Sequence, residues 1–268
     1  MVIRKTDYKA QKRRAGKRGG YARIALHGNP GTYEGRAKGG RNSLRTHRAL
    51  NTGFKLLHKI TYPRKNVAFA EFIGVVIGDG HLDRYQVSIT TNSETDLAHA
   101  RYVRALAKSL FGVPVSLRVR LSSRAVVVVI NSKLVCDLLA RHGIPQGSKQ
   151  RLGVNFPQWI REKPLLARSC LRGLFDTDGC VFQDTHRVNG KIYNSVGIAF
   201  ANNEPHVLSF FFTVLMDLGL HPTQTSKHRV FLRRGREVDT YFKVVGTSNP
   251  KHRSRFLTYR KTQLGEVA

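Results

Sequence analysis

Acid is what this chain lacks. Only 17 Asp and Glu stand against 46 Lys and Arg in 268 residues, a net charge of +29 at neutral pH. A compact fold does not easily sustain that surplus without a polyanionic partner, and nucleic acid is the commonest one. A solubilising basic surface or a ribosome-associated protein is the plainer alternative. Cysteine is scarce too: Cys136, Cys170 and Cys180 have neither an even count nor metal-ligand spacing. That argues against a disulfide scaffold or a zinc site and suits a reducing compartment. No apolar run reaches membrane-spanning length, and the polar, charged N-terminus is no secretory signal. Its Arg-rich start also lacks the apolar face of a transit peptide. The expected setting is the cytoplasm, beside the nucleoid, or an organellar matrix, without secretion. The length suffices for one large core or two modest ones.

The charge is unevenly spread. Residues 1–66 hold 18 Lys and Arg against Asp7 and Glu34, a net +16, which leaves +13 for the other 202 residues. This stretch is glycine-rich and poor in core residues until Phe54–Leu57. Lys17-Arg18-Gly19-Gly20 is echoed by Ala37-Lys38-Gly39-Gly40, with a turn at Gly28–Gly31 between them. Two short basic helices that order on nucleic acid, or a disordered basic arm, both fit the segment, read here as a nucleic-acid-binding extension.

From Val67 the texture is that of a folded domain, and it is doubled. Phe72-Ile73-Gly74-Val75-Val76-Ile77-Gly78-Asp79-Gly80 returns 99 residues later as Leu171-Arg172-Gly173-Leu174-Phe175-Asp176-Thr177-Asp178-Gly179. After the first copy, the patterns predict a hairpin over His81–Asn92 and a helix over Glu94–Leu110. Strands over Val113–Leu121 and Ala125–Asn131 and a helix over Ser132–His142 follow. After the second, they predict strands at Cys180–Val188 and Lys191–Ala201 and a helix at Pro205–Leu218. Strands at His221–Ser226 and Arg229–Arg233 and a final helix at Arg236–Val245 complete it. The expected fold is α+β: tandem αββαββα repeats at 67–146 and 164–268, joined by a linker at 147–163.

One Asp-Gly after an apolar run is an ordinary helix stop. Two in matching surroundings place one carboxylate at the end of each of two equivalent helices. Counting back by fours, the helices show Ala70, Gly74, Gly78 and Ser169, Gly173, Thr177, positions that share a face. Such small-residue stripes let two backbones approach closely. Glycine inside a helix costs ~1 kcal/mol against alanine, so Gly74 and Gly173 need a structural return, which packing on a pseudo-twofold axis supplies. That packing brings Asp79 and Asp178 together. Paired carboxylates repel, and a shared divalent cation relieves them. Mg²⁺ (or Mn²⁺) ligated by carboxylate, main-chain and water oxygens suits hydrolysis of a phosphodiester.

These nonamers resemble the paired motifs of LAGLIDADG homing endonucleases, in their single-chain, two-motif form. The resemblance runs from about Val67 to Phe256. It implies a monomer whose two four-stranded sheets sit over double-stranded DNA in intron homing. Asp79 and Asp178 match the motifs' final acid, which binds metal and activates water, with Gly78 and Thr177 beside them as further metal contacts. Gly74 and Gly173 match the helix-interface glycine. Ile77 departs from the pattern where Asp176 keeps the motif's first Asp. Family members place a basic residue near each metal, and Lys149 and Lys251, at equivalent places in the halves, are the candidates. Asn92 stands where some relatives have a catalytic Lys. No nucleophilic Cys or Ser at the start and no His-Asn pair at the end match a self-splicing intein. The expectation is a free-standing or intron-encoded enzyme.

Alternation turns Val87, Ile89, Leu117 and Val119 inward with Val230 and Leu232. It leaves Gln86, Ser88, Thr90, Arg118, Arg120, Arg229 and Arg233 for DNA. Arg84, Asn92, Arg187, Lys191 and Lys227 complete that set. Val126–Ile130 reads as a buried strand and Trp159 as a linker residue packed on the core. His27, His47, His58, His81 and His186 read as scattered surface histidines, and Asp83, Asp184 and Glu237 as ordinary surface charges. The rival function keeps the fold without catalysis, as an RNA maturase acting on intron RNA or as a DNA-binding regulator. A ribosomal protein leaves the duplication unexplained.

Overall fold

The computed structural model describes residues 5–29, 31–50, 52, 59–120 and 123–264. The chain divides near residue 56 into two compact units. The first holds helices α1 (Lys5–His27) and α2 (Tyr33–Leu50). Asn29 Oδ1 accepts from Gly31 N at 2.8 Å in the turn between them, and Thr32 Oγ1 accepts from Gly35 N at 3.0 Å at the head of α2. No residue of α2 is buried, and both segments are helical. Phe54–Leu57 and His58 lie outside the described residues.

The second unit begins earlier than the pattern suggests. Ile60 packs on its core, and Thr61 N donates to Phe111 O at 2.8 Å. Its first repeat runs α3 (Val67–Gly78), β1 (Gly80–Leu82), β2 (Gln86–Asn92), α4 (Leu97–Phe111), β3 (Val115–Arg120), β4 (Ala125–Asn131) and α5 (Lys133–Arg141). Short helices α6 (Lys149–Leu152) and α7 (Gln158–Arg161) follow. The second repeat runs α8 (Pro164–Asp178), β5 (Gly179–Val188), β6 (Lys191–Ala201), α9 (Pro205–Asp217), β7 (Thr223–Ser226), β8 (Arg229–Leu232) and α10 (Gly235–Val244). A further helix, α11 (Pro250–Leu264), packs on β5 and β6. The antiparallel sheets are ordered β1-β2-β4-β3 and β5-β6-β8-β7, the same order twice.

The motif helices form the core of this unit. α3 is apolar apart from Glu71, and Phe69 to Ile77 are all buried. Asn66 caps its start by accepting from Phe69 N at 3.0 Å. A Cβ on Gly74 would lie 2.1 Å from Cys170 O, and one on Gly173 would lie 2.2 Å from Glu71 O. Backbone therefore meets backbone, as the small-residue stripes predict. Gly78 repeats the contact at the helix ends, where its Cβ would strike Thr177 Oγ1 at 1.9 Å. Both Ala70 and Ser169 are buried, and Ser169 Oγ donates back to Leu165 O.

The sheets follow the alternation with one exception. Val87, Ile89, Val230 and Leu232 are buried, and Leu117 packs against the core half-exposed. Val119 does not point into the core: it is 50% exposed. Parity puts it on the inner face, opposite buried Val126, but β3 is the edge strand of its sheet and is covered on one side only. Val126–Ile130 are buried on both faces, as an unbroken apolar run requires. The linker belongs to the core too. Trp159 stacks on Phe69 with ring centroids 5.6 Å apart, beside buried Val154, Phe156 and Ile160. One surface assignment fails: the side chain of Glu237, 14% exposed, pairs with His221 and Arg234. His99 and His252, which the pattern left unassigned, are buried. Side chains of Asp184 and His186 lie outside the description.

Gly74→Leu or Gly173→Leu should destabilise the whole second unit, because the clashing partner is main chain and cannot yield cheaply. Overpacking commonly costs about 1–3 kcal/mol, and here it also separates two helices. Urea melts that match the parent for both variants would show the helices are not in contact.

Candidate active site

The two helices end together. Asp79 N closes the last turn of α3 on Val75 O at 3.1 Å, and the next residue already belongs to β1. Gly80 follows because a Cβ there would lie 2.4 Å from Val76 O. Asp178 ends α8 in the same way. A Cβ on Gly78 would also come within 3.2 Å of Asp178 Oδ2, so the first motif's last helical residue touches the second motif's acid. Burial and, after it, the negative charge of Asp178 push the Asp79 carboxyl up to about 7. Asp178 is raised by burial, against the opposing influence of its Asn202 hydrogen bond and of Lys149. Two carboxylates thus share a desolvated place with too little positive charge.

Oxygen ligands fit a hard divalent cation there. Among the described residues no cluster of three or more His, Cys, Asp and Glu is arranged to hold a metal, so the donors are the two acids and neutral oxygens beside them. The Gly78 carbonyl already accepts from Lys149 Nζ at 2.6 Å, which leaves its second lone pair. The Thr177 hydroxyl donates back to Leu174 O at 2.8 Å, which fixes its proton and leaves its oxygen lone pairs and its carbonyl as donors to a cation.

The candidate lysines have different surroundings. Lys149 Nζ donates to Val76 O at 3.2 Å, Ile77 O at 2.6 Å and Gly78 O at 2.6 Å, and so satisfies the open carbonyls at the end of α3. All three of its protons are committed. Burial lowers its pKa, while Asp178 and then Asp79 pull the other way. Lys251 Nζ instead lies 2.7 Å from Asp96 Oδ1, and Asn249 Nδ2 takes the helix-end carbonyl of Asp176 at 3.1 Å.

Residues with no place in the sequence reading complete the site. Asn202 Nδ2 donates to Asp178 Oδ2 at 2.8 Å, and its own Oδ1 accepts from Glu204 N at 2.9 Å. Asn92 makes the matching turn in the first repeat, accepting from Glu94 N at 2.8 Å; laying the halves side by side would have found Asn202. A cavity of about 210 Å³ is lined by Lys149, Asp178, Asn202 and Glu204 among others. Behind Asp79, buried Glu71 pairs with Arg172 across the two motif helices and accepts from Tyr102 Oη and Ser248 Oγ. Asp176, the acid kept from the motif pattern, is buried and accepts from Thr247 Oγ1 and Ser248 N. It anchors the loop that leads to Lys251.

The outer sheet faces carry the other candidates. Gln86 donates to Asn131 Oδ1 at 2.7 Å, Ser88 is half-buried, and Thr90 and Asn92 are exposed. Arg118, Arg120, Arg187, Lys227 and Arg229 are exposed, and Arg84 lies over Tyr85. Arg233 stacks 4.4 Å from the ring centre of Phe231. The side chain of Lys191 lies outside the description. Val127 and Val129, opposite Thr90 and Ser88, give the first sheet an apolar floor.

The raised Asp79 carboxyl has a consequence for stability. Its folded pKa of about 7 lies above the ordinary 3.8, so its contribution is complete below pH 4 and is lost as pH rises through 7. Asp79→Asn, which cannot ionise, should therefore gain on the parent by a few kcal/mol between pH 4 and 7 and level off above. Urea melts of both proteins across that range without divalent cation check this; a constant difference would show that the carboxyl is not desolvated as described.

A family model described as a LAGLIDADG-like domain matches residues 166–256, the second repeat. The structure of I-SmaMI bound to an uncleaved DNA target in the presence of calcium ions aligns with 74% of this chain and 90% of its own, at TM-score 0.51 and 12% identity. A variant structure of the homing endonuclease I-DmoI aligns with 68% of this chain and 97% of its own, at TM-score 0.45 and 16% identity. In sequence, the chain is 30% identical over 127 residues to the tRNA-splicing ligase RtcB of Methanopyrus kandleri, covering 42% of this chain but 13% of that protein. The chain spans less than a fifth of the curated relatives it matches. With two motif helices, two like-ordered sheets and a matching second repeat, this chain has the LAGLIDADG homing endonuclease fold in its single-chain form.

Proposed function

We propose that this protein is a site-specific endonuclease that hydrolyses both strands of duplex DNA with a divalent cation, Mg²⁺ or Mn²⁺. The observation that carries the reading is the meeting of Asp79 and Asp178 at the ends of two backbone-packed helices, each acid raised in pKa and short of positive charge. A pure binder gains nothing from two desolvated acids. A bound cation supplies a lowered pKa for water and charge for the leaving oxygen. Asp79 and Asp178, with neutral oxygens of Gly78 and Thr177, would hold it. Asn202 fixes the orientation of Asp178. Lys149 contributes a fixed positive charge rather than a base, since its protons are already given to carbonyls. In each cut a bond forms from a water oxygen to phosphorus, and the bond to the 3′ oxygen breaks with that oxygen taking up a proton. The outer sheet faces, with Arg118, Arg120 and Arg229 exposed, read the duplex, and the basic helices α1 and α2 add phosphate contacts.

Incubation with a plasmid library carrying a randomised insert and Mg²⁺, followed by sequencing of cut ends, should recover one target. Asp79→Asn and Asp178→Asn should each abolish double-strand cleavage and keep specific binding. Undiminished cleavage by either variant would sink the two-carboxylate site, and specific binding without any cleavage by the parent would favour the maturase or regulator reading. On that target, Arg118→Ala or Arg120→Ala should cost about 1–3 kcal/mol and relax preference at particular base pairs. Deleting residues 1–56, which leaves the second unit whole, should weaken binding to all sequences alike and flatten its salt dependence. Altered base preference after the deletion would make the helices sequence readers.

A further inference from the structure

We propose that the two halves of the site are unequal: Asp96 is a positioning residue that holds Lys251 back, so the DNA strand served by the Asp178 half is cut first. The proposal rests on the endonuclease reading above. The asymmetry starts at the helix ends. Ile77 and Asp176 are equivalent in the two motifs, yet Ile77 O accepts an ammonium from Lys149 and Asp176 O accepts an amide from Asn249. With that place taken, Lys251 pairs with Asp96 Oδ1 at 2.7 Å.

Asp96 and Glu204 are the corresponding acids at the heads of α4 and α9, and they behave differently. Glu204 caps its own helix, accepting from Val207 N at 3.0 Å. Asp96, one methylene shorter, makes no side-chain cap and is spent on Lys251, Asn249 Nδ2 at 2.6 Å and Thr95 Oγ1 at 2.5 Å. It is itself buried. The acids balance in number, but not in what they neutralise. The Lys149 ammonium rests only on neutral carbonyls beside Asp178, in a cavity shared with Asn202. The Lys251 ammonium is matched by a carboxylate in direct contact. A phosphate entering the Asp178 half meets an ammonium that, among the described residues, touches no carboxylate directly, and one entering the Asp79 half meets an ammonium already paired.

The target recovered from the randomised library, placed once in a supercoiled plasmid with Mg²⁺, tests this. Nicked and linear products are followed in time, and end-labelled duplexes identify the broken strand. The parent should accumulate a nicked intermediate in which the same strand is always broken, with rates differing by about tenfold or more. Asp178→Asn should lose that nick more completely than Asp79→Asn, and any nicking left in Asp79→Asn should fall on the same strand; this comparison does not depend on any Asp96 variant folding. Asp96→Asn should speed the second cut and shrink the intermediate, whereas Asp96→Glu keeps the order. Reductive methylation read by peptide mass spectrometry should label Lys251 slowly in the parent and several-fold faster in Asp96→Asn. Simultaneous cuts, a random first strand, or an Asp96→Asn variant that slows both strands alike would overturn the proposal. Failure of the parent to cut any member of the library would instead remove the endonuclease reading, and this proposal with it.

Discussion

At Gly74 and Gly173 the main chains of two helices touch, and the position of everything in the second unit that bears on chemistry follows from that contact. Helices with ordinary side chains pack 8–10 Å apart; removing two Cβ atoms draws the axes together and fixes their register. Each glycine costs about 1 kcal/mol of helix propensity, which the apolar burial of α3 and α8 offsets. With the axes locked, the two helix ends cannot separate, and both present C-terminal carbonyls to the same small volume. Each end carries roughly half a negative charge, and each is followed or closed by an aspartate. The fold therefore builds a negative focus from geometry before any other side chain is considered. Lys149, bonded to three carbonyls of α3, is the local response.

The negative focus is stabilised from behind by a buried polar network with little apolar character. Glu71, Arg172, Tyr102, Ser248, Asp176 and Asn249 join α3, α4, α8 and the loop before α11. Burying such groups brings little net stability, and breaking one partner away is costly. What the network does supply is registry. An apolar interface between two similar helices permits several sliding positions, whereas the glycine contact and the Glu71–Arg172 pair together permit one. Asp176 shows the same division of labour: two residues before Asp178, and so on the opposite side of α8, it holds Thr247 and Ser248 and does not join the paired acids.

Much of this was legible in the sequence because it depends on period and size. Four-residue spacing of Ala70, Gly74 and Gly78 announces a close helix contact, and two-residue alternation of Val87 and Ile89 announces an inner sheet face. The duplication then joins the acids. Three features escaped for physical reasons. Parity cannot say where the apolar layer ends, so Val119 reads as inward although it is solvent-exposed. α11 was hidden because its buried stripe is His252, Phe256 and Tyr259, one of them polar, in an otherwise basic segment; yet Phe256 stacks on Phe242 with centroids 4.0 Å apart. The unequal roles of Lys149 and Lys251 escaped because equivalent positions in a sequence say nothing of which neighbour reaches a carbonyl first.

That last point marks what a fused pair of repeats can do and a symmetric dimer cannot. In a homodimer the substitution that places Asn249 on one helix end would place it on both, and neither end would hold a lysine. Within one chain the two halves drift separately while the glycine contact preserves their geometry. The charge is divided on the same principle. The first 66 residues carry more than half of the net surplus, +16 of +29, and α2 buries nothing, so the charge on that helix makes no demand on the core. The sheets are then free to hold fewer cations and amides in defined settings, such as Arg233 on Phe231 and Gln86 on Asn131. A stacked or hydrogen-bonded side chain presents its donors in one direction, which phosphate attraction does not need and base reading does.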